Sequence, residues 1–350
     1  MNIAFDCERM KYPHTGLFEY CLQLGVALKK QLKPEDQINY YLREGDQHFF
    51  DKDSKFLIQH RFDQFIFPRI KNIDLWHTAY QTSLYMPRST RFKKVLTIHD
   101  LNFLHEGESK EKQLLELKKH QKNINRADHI VAISEFTKQD ILENLNIGSK
   151  PVSVIYNGCA EESLEININP TYLPKKPFLY AIGTVNPKKN FHVLIPLLVN
   201  NDFELIIAGN TDDEYKRKII NEALKYQVME RVKITGPVSE MEKRWYYKHC
   251  EAFLFPSLAE GFGIPPIEAM RFGKPTFLSN STSLPEIGGD VAYYFNSYDP
   301  VEMQKVFEAG MNDYNSRHPS EDIINHAKQF NWNKSAEAYL KIYRETLNNI

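Results

Sequence analysis

The stretch FPSLAEGFGIPPIEAMRFGKP, residues 255–275, decides how the rest of the chain is read. An apolar run ends at Phe255, and Pro256 and Ser257 turn the chain out of what reads as a buried strand. Glu260 follows in a loop with Gly261, Phe262, Gly263 and Ile264, whose two glycines permit close backbone approach or unusual dihedrals. Pro265 and Pro266 open a helix predicted over 266–272, because proline at the first helical position gives up no needed hydrogen bond. Glu268 is expected in that helix's first turn. Free backbone N–H groups and a positive helix end suit a diphosphate. A carboxylate there would repel phosphate, so each glutamate suits sugar hydroxyls instead, Glu260 those of a hexose and Glu268 those of a ribose. On spacing alone an equal reading is that Glu268 complements the helix dipole and Glu260 is a solvated loop acid.

On either side of this stretch, short apolar runs alternate with segments of helical spacing. Strands are predicted at 2–5, 75–77, 95–98, 129–133 and 152–156, with helices at 16–30, 109–126 and 135–145. The stretch 161–177 has three prolines and no period, and the linker is set at 166–177. Beyond it, strands are predicted at 178–182, 203–208, 232–235, 252–255 and 276–278. Helices are predicted at 192–199, 213–226, 239–250 and 332–347. Ser239 with Glu242 three residues on forms a capping-box pattern. The fold class is α/β, with two doubly wound Rossmann-like domains at 1–165 and 178–331. Residues 332–350 form a C-terminal helix expected to cross back to the first domain. Ligands of such sheets bind beyond the carboxyl ends of the strands, which in a two-domain chain face a central cleft.

Composition removes several other classes. The 350 residues are 42% apolar and 25% charged, so a sizeable core forms and a disordered chain is excluded. Lys plus Arg number 44 against 45 acids, which gives no support to a nucleic-acid-coating protein. Cys7, Cys21, Cys159 and Cys250 show no CxxC spacing, so neither a disulfide scaffold nor a cysteine-based zinc site is expected. The first residues lack the apolar stretch of a signal peptide, and no segment has the roughly 20 apolar residues of a membrane span. A cytoplasmic protein is the expectation, with peripheral contact at the inner leaflet left open.

Five further blocks accompany the opening stretch: TIHDL at 97–101, AISEFTKQDI at 132–141, VIYNG at 154–158, AIGTVNPKKN at 181–190 and STSLPEIGG at 281–289. Together they resemble, in order and over nearly the whole chain, the retaining GT-B glycosyltransferases with a Glu-x7-Glu signature. That large family includes many bacterial mannosyl- and glucosyltransferases. The resemblance implies a GT-B fold and transfer of a hexose from a UDP- or GDP-sugar to an acceptor hydroxyl with retained configuration. No carboxylate nucleophile of the retaining-hydrolase kind is evident. Family precedent has the leaving phosphate accept the acceptor's proton.

The resemblance places Glu260, Lys189 and His99 in the catalytic set. Lys188 and Lys189 follow the predicted strand 178–182 and Gly183, where two cations suit a departing diphosphate; an isolated lysine pair otherwise reads as an exposed loop. Relatives carry arginine just after the glycine or beside the lysine, where this chain has Thr184 and Lys188. Gly236, Pro237 and Val238 match the segment that frames the base. His99, followed by Asp100 at the end of 95–98, matches the residue near the transferred sugar. Gly16 matches the family's glycine loop toward donor phosphate or acceptor. No Asp-x-Asp motif is present, so neither a divalent metal nor another cofactor is expected.

Arg88, Arg91, Lys93 and Lys94 form a basic cluster suited to anionic lipid or a lipid-linked glycan, against the alternative of a solvated surface. The implied partners are a nucleotide-sugar donor and a glycan or lipid-linked glycan acceptor, in surface polysaccharide or glycolipid synthesis. A nucleotide-sugar epimerase and a non-catalytic sugar-nucleotide-binding protein are the alternatives. A nicotinamide dehydrogenase would need a GxGxxG that residues 183–186 do not supply.

Overall fold

The computed structural model describes every residue except His14, Arg69, residues 161–165, Asn167, Asn349 and Ile350. Part of the predicted linker therefore lies outside the described residues. The chain divides into two units, Met1–Ala160 with Phe330–Ile350, and Glu161–Gln329. Phe330 and Asn331, assigned to the second domain by the sequence reading, belong to the first unit.

In the first unit, among the described residues, seven strands form one parallel sheet: β1 Asn2–Asp6, β2 Gln37–Arg43, β3 Lys55–Gln59, β4 Leu75–Thr78, β5 Lys93–Ile98, β6 His129–Ala132 and β7 Val152–Val154. Their order is β3-β2-β1-β4-β5-β6-β7. The direction of winding therefore reverses between β1 and β4, the place in such sheets where the loops on either side part and leave room for a ligand. Helix α1, Gly16–Gln31, starts at Thr15, whose hydroxyl accepts from Phe18 N, and buries Phe18, Cys21, Leu24 and Leu28. α2 (Lys110–Ile124) and α3 (Glu135–Asn144) begin with Ser109 and Ser134 as the same kind of cap.

The C-terminal helix, Trp332–Asn348, packs along α1. Tyr339 Oη lies 2.8 Å from Tyr20 Oη and 2.9 Å from Thr97 Oγ1, and Tyr343 Oη lies 2.6 Å from His77 Nδ1. Ser335 donates to Tyr156 O at 2.6 Å. At Gly158 a Cβ would fall 2.2 Å from Trp332 N, so only a glycine lets the helix begin there. Burial, then neighbouring His99, lowers the His77 pKa to about 3, so this polar seam is uncharged at neutral pH.

The second unit repeats the plan with β8 Phe178–Ile182, β9 Glu204–Ala208, β10 Val232–Gly236, β11 Ala252–Phe255, β12 Thr276–Ser279 and β13 Tyr293–Phe295. The order is β10-β9-β8-β11-β12-β13, all parallel, with the reversal between β8 and β11. Around it lie α4 Asp213–Lys225, α5 Glu240–His249, α6 Ile264–Arg271, α7 Leu284–Gly288, α8 Pro300–Arg317 and α9 Ser320–Ala327. Both halves of the Ser239–Glu242 capping box form. The helix expected at 192–199 is a 3-10 helix, Phe191–Leu198, because Pro196 inside it cannot complete an α-helical ladder. All four cysteines are free and buried.

Candidate functional site

The winding reversal of the second sheet brings the loops after β8 and β11 together, and both carry predicted site residues. After β8, Gly183 at φ 148° leads into the 3-10 turn Pro187–Lys189, capped by Asn186, whose side chain accepts from Lys189 N at 3.2 Å. After β11, Ser257 donates to Glu260 Oε1 at 2.5 Å. That same oxygen pairs with Lys189 Nζ, so the predicted catalytic lysine and glutamate meet. Leu258 N donates to Lys188 O at 2.9 Å and locks the two loops edge to edge. The Glu260 backbone is fixed as well. Its N–H donates to Thr282 Oγ1 at 2.9 Å, and Ser283 Oγ donates to Glu260 O and Phe262 O, both at 2.9 Å. Thr282 and Ser283 lie in the STSLPEIGG block, which thereby braces the glutamate loop.

Gly263 has φ 122°, a backbone conformation that L-residues rarely adopt, and a Cβ there would also press on Leu284 Cδ2 at 2.9 Å. Gly261 and Phe262 are buried and Ile264 is half-buried. α6 begins at Ile264, two residues earlier than expected, which moves Glu268 from the first turn into the second. Pro265 and Pro266 occupy its first turn and carry no N–H, so the anion-binding donors here are fewer than the sequence suggests.

Glu268 is anchored by groups the sequence reading did not single out. Lys243 Nζ donates to its Oε1 and Tyr247 Oη to its Oε2, each at 2.8 Å. The two donors stand four residues apart on α5, the spacing that puts side chains on one helix face, and this was the available signal. Burial works against the Lys243 charge, but the carboxylates of Glu268 and Glu240 outweigh it and hold its pKa above the usual lysine range. Lys243→Met leaves Glu268 without its cation. The expected result is a loss of roughly 2–3 kcal/mol in Lys243→Met and recovery in Lys243→Arg; calorimetric unfolding of both variants checks it.

Bare backbone flanks these groups. Gly183, Gly209 and Gly236 follow or end the adjacent strands β8, β9 and β10, all at positive φ. Gly209 N donates to Gly236 O at 2.8 Å, and Gly183 N to Ala208 O at 3.0 Å. Thr184 and Pro237 are exposed and Val238 half-buried beside this strip.

The remaining predicted residues lie in the first unit. His99 is buried just beyond β5, and its Nε2 lies 2.7 Å from Ala79 O. A carbonyl only accepts, so Nε2 carries the proton and Nδ1 is left as an acceptor. Burial lowers its pKa to about 4; the Ala79 bond offsets part of that shift, and the Arg9 charge adds to it. His99 is therefore neutral at pH 7. Gly16 opens α1 with nothing within 4 Å of a would-be Cβ. Lys94 does not join a surface cluster with Arg88, Arg91 and Lys93: it is buried as the second residue of the interior strand β5, with Nζ donating to Ser89 O at 2.9 Å.

The sequence profile described as "Glycosyl transferases group 1" matches residues 165–330, and that of "Glycosyltransferase Family 4" matches residues 26–162. The chain is 32% identical to the serotype-specific mannosyltransferase WbdA of Escherichia coli over 54% of its own length and 25% of WbdA. It thus spans about a quarter of that relative. It is 24% identical to the O-antigen chain mannosyltransferase B of Escherichia coli over 98% of this chain and all of that one. Among solved structures, sucrose-phosphate synthase from Thermosynechococcus elongatus superposes with TM-score 0.76 at 17% identity, covering 99% and 98% of the two chains. Anabaena Alr3699/HepE in complex with UDP and glucose does so with TM-score 0.75 at 15% identity, covering 99% and 100%.

Proposed function

We propose that this chain, whose residues 165–330 match the group 1 glycosyl transferase profile and which has the GT-B fold, moves a hexose from a UDP- or GDP-sugar to an acceptor hydroxyl. Configuration is retained and no divalent metal is needed. The mannosyltransferase relatives favour mannose as the sugar and an O-antigen-like polysaccharide as the product. The observation that carries the reading is the joining of Lys189 and Glu260 at the sheet's winding reversal, beside the glycine strip.

Each group has a task that its surroundings suit. The Lys189 ammonium offsets the charge that grows on a departing diphosphate. Glu260, oriented by Ser257 and Lys189, accepts hydrogen bonds from hexose hydroxyls. Glu268, steadied by Lys243 and Tyr247, keeps lone pairs for ribose hydroxyls. The glycines let a nucleoside approach the sheet edge closely. In the first unit, neutral His99 offers Nδ1 to a sugar hydroxyl.

The test is incubation with GDP-mannose, UDP-glucose and UDP-galactose and a sugar acceptor, with the new linkage read by proton NMR. A retained anomeric configuration and unchanged rate in EDTA are expected. An inverted product, or a chelator loss restored by magnesium, overturns the corresponding part. A changed nucleotide sugar formed without acceptor would instead mark an epimerase.

A further inference from the structure

The pairing of β4 with β5 ends at Thr78 and Leu96, and His99 and Asp100 lie past that end. There a side chain takes the place of the ladder. The Gln81 amide, 4% exposed, accepts from His99 N through Oε1 at 3.1 Å and donates from Nε2 to Asp100 O at 3.2 Å. One amide thus offers the chain both an acceptor and a donor, as a neighbouring peptide would. Among long side chains only glutamine does this: glutamate accepts without donating, lysine donates without accepting, and methionine offers only a weakly accepting sulfur.

Gln81 is itself held in place. Asn123, buried near the end of α2, donates from Nδ2 to Gln81 O at 3.0 Å and to Ser83 O at 2.9 Å, which ties the loop after β4 to that helix. From α3, Thr137 Oγ1 donates to His99 O at 3.3 Å. The loop that clasps the His99 backbone also holds its ring, because Nε2 donates to Ala79 O, two residues before Gln81. The Tyr20 ring stands edge-on to the imidazole, with centres 4.6 Å apart. His99 is therefore attached to one loop by its backbone and by its ring, and this double hold sets the direction of Nδ1.

We infer that Gln81 is a positioning residue for sugar transfer, fixing the direction in which His99 presents Nδ1 to the transferred hexose. The task of His99 rests on the glycosyltransferase reading, whereas the clasp rests on the hydrogen bonds around Gln81. Misplacing a reacting group by about 1 Å can cost about a hundredfold in rate, so a small shift of the loop is enough to be seen in kcat.

Two variants test this on the full chain. Gln81→Met keeps the length and removes the amide; Gln81→Glu keeps the acceptor for His99 N and loses the donor to Asp100 O. Each is expected to lower kcat by about tenfold or more while KM for the nucleotide sugar stays within about threefold. Melting temperatures are recorded for both, and Gln81→Glu carries the test if Gln81→Met does not fold. In a His99→Ala background, adding the Gln81 substitution should lower kcat by less than about twofold, because its effect runs through the histidine. Nitrogen NMR of the imidazoles, with His99 assigned by its absence from His99→Ala, should show one tautomer in wild type and a mixture in the Gln81 variant. This readout needs no turnover and decides the matter if His99→Ala is too slow to measure. An equal kcat loss in both backgrounds, a loss confined to KM, or unchanged His99 nitrogen shifts overturns the assignment. Absence of transfer by wild type with every donor would sink the glycosyltransferase reading, and the nitrogen shifts would still decide the clasp.

Discussion

Glu260→Gln is expected to lower the proposed sugar transfer by about a hundredfold or more while the fold stays intact, with a melting temperature lowered by the loss of the charge opposite Lys189. Glutamine has the same shape and can still accept from Ser257. It removes the charge opposite Lys189 and replaces one acceptor oxygen by a donor, so a sugar hydroxyl meets N–H where it needs a lone pair. Loss of one well-placed electrostatic contact to a transition state costs about 3–4 kcal/mol, equivalent to a factor of 10² to 10³. The effect should fall on kcat, since the hexose is gripped hardest when positive charge develops on the ring. Lys189→Ala is the companion: it should weaken UDP or GDP binding by about tenfold, measured by calorimetry. Transfer by Glu260→Gln within a few fold of wild type would remove this residue from the chemistry.

The second large effect is on the fold. In Gly209→Ala the new Cβ would lie 2.0 Å from Gly183 O and 2.7 Å from Gly183 C, at a φ of 131° that L-residues avoid. Both obstructing atoms are backbone, held by the bonds from Gly183 N to Ala208 O and from Gly209 N to Gly236 O. Nothing there can swing away, so a loss of more than about 3 kcal/mol is expected, enough to lower the unfolding transition of the second unit by many degrees. Gly183→Ala meets only the flexible Lys189 stem, at 3.1 Å, and Gly236→Ala meets nothing within 4 Å. Scanning calorimetry should therefore rank the three, with position 209 worst and 236 mildest. An equal response at all three would refute the steric account.

The alternation of apolar runs with helical spacing located most of the elements that position the site. The opening stretch identified the strand, the glycine loop and the two prolines. Several pieces were harder to see. β2 is covered along most of its length and so shows no alternation, and Asn39 within it looks unlike a core residue until its amide is seen donating to Ile3 O. β3 is a half-buried five-residue strand with lysine at its start. α8 did leave a signal, with Asp299 as cap, Pro300 in the first turn, and Met303 and Phe307 four apart. At the site, residue types were legible and partnerships were not. Lys189 and Glu260 are 71 residues apart, and only the sheet order brings them together. The clasp of Gln81 on His99 is hidden in the same way.

The polar seam between α1 and the C-terminal helix bears on how the protein is made. A ribosome releases Met1–Ala160 long before Phe330–Ile350, yet Tyr339 and Tyr343 belong to the core around β1 and β4. During translation the leading unit must wait with an apolar flank uncovered, while the intervening unit has all its residues and can fold first. The first unit is thus completed last, and a nascent chain arrested near residue 330 would still expose the surface that the C-terminal helix covers.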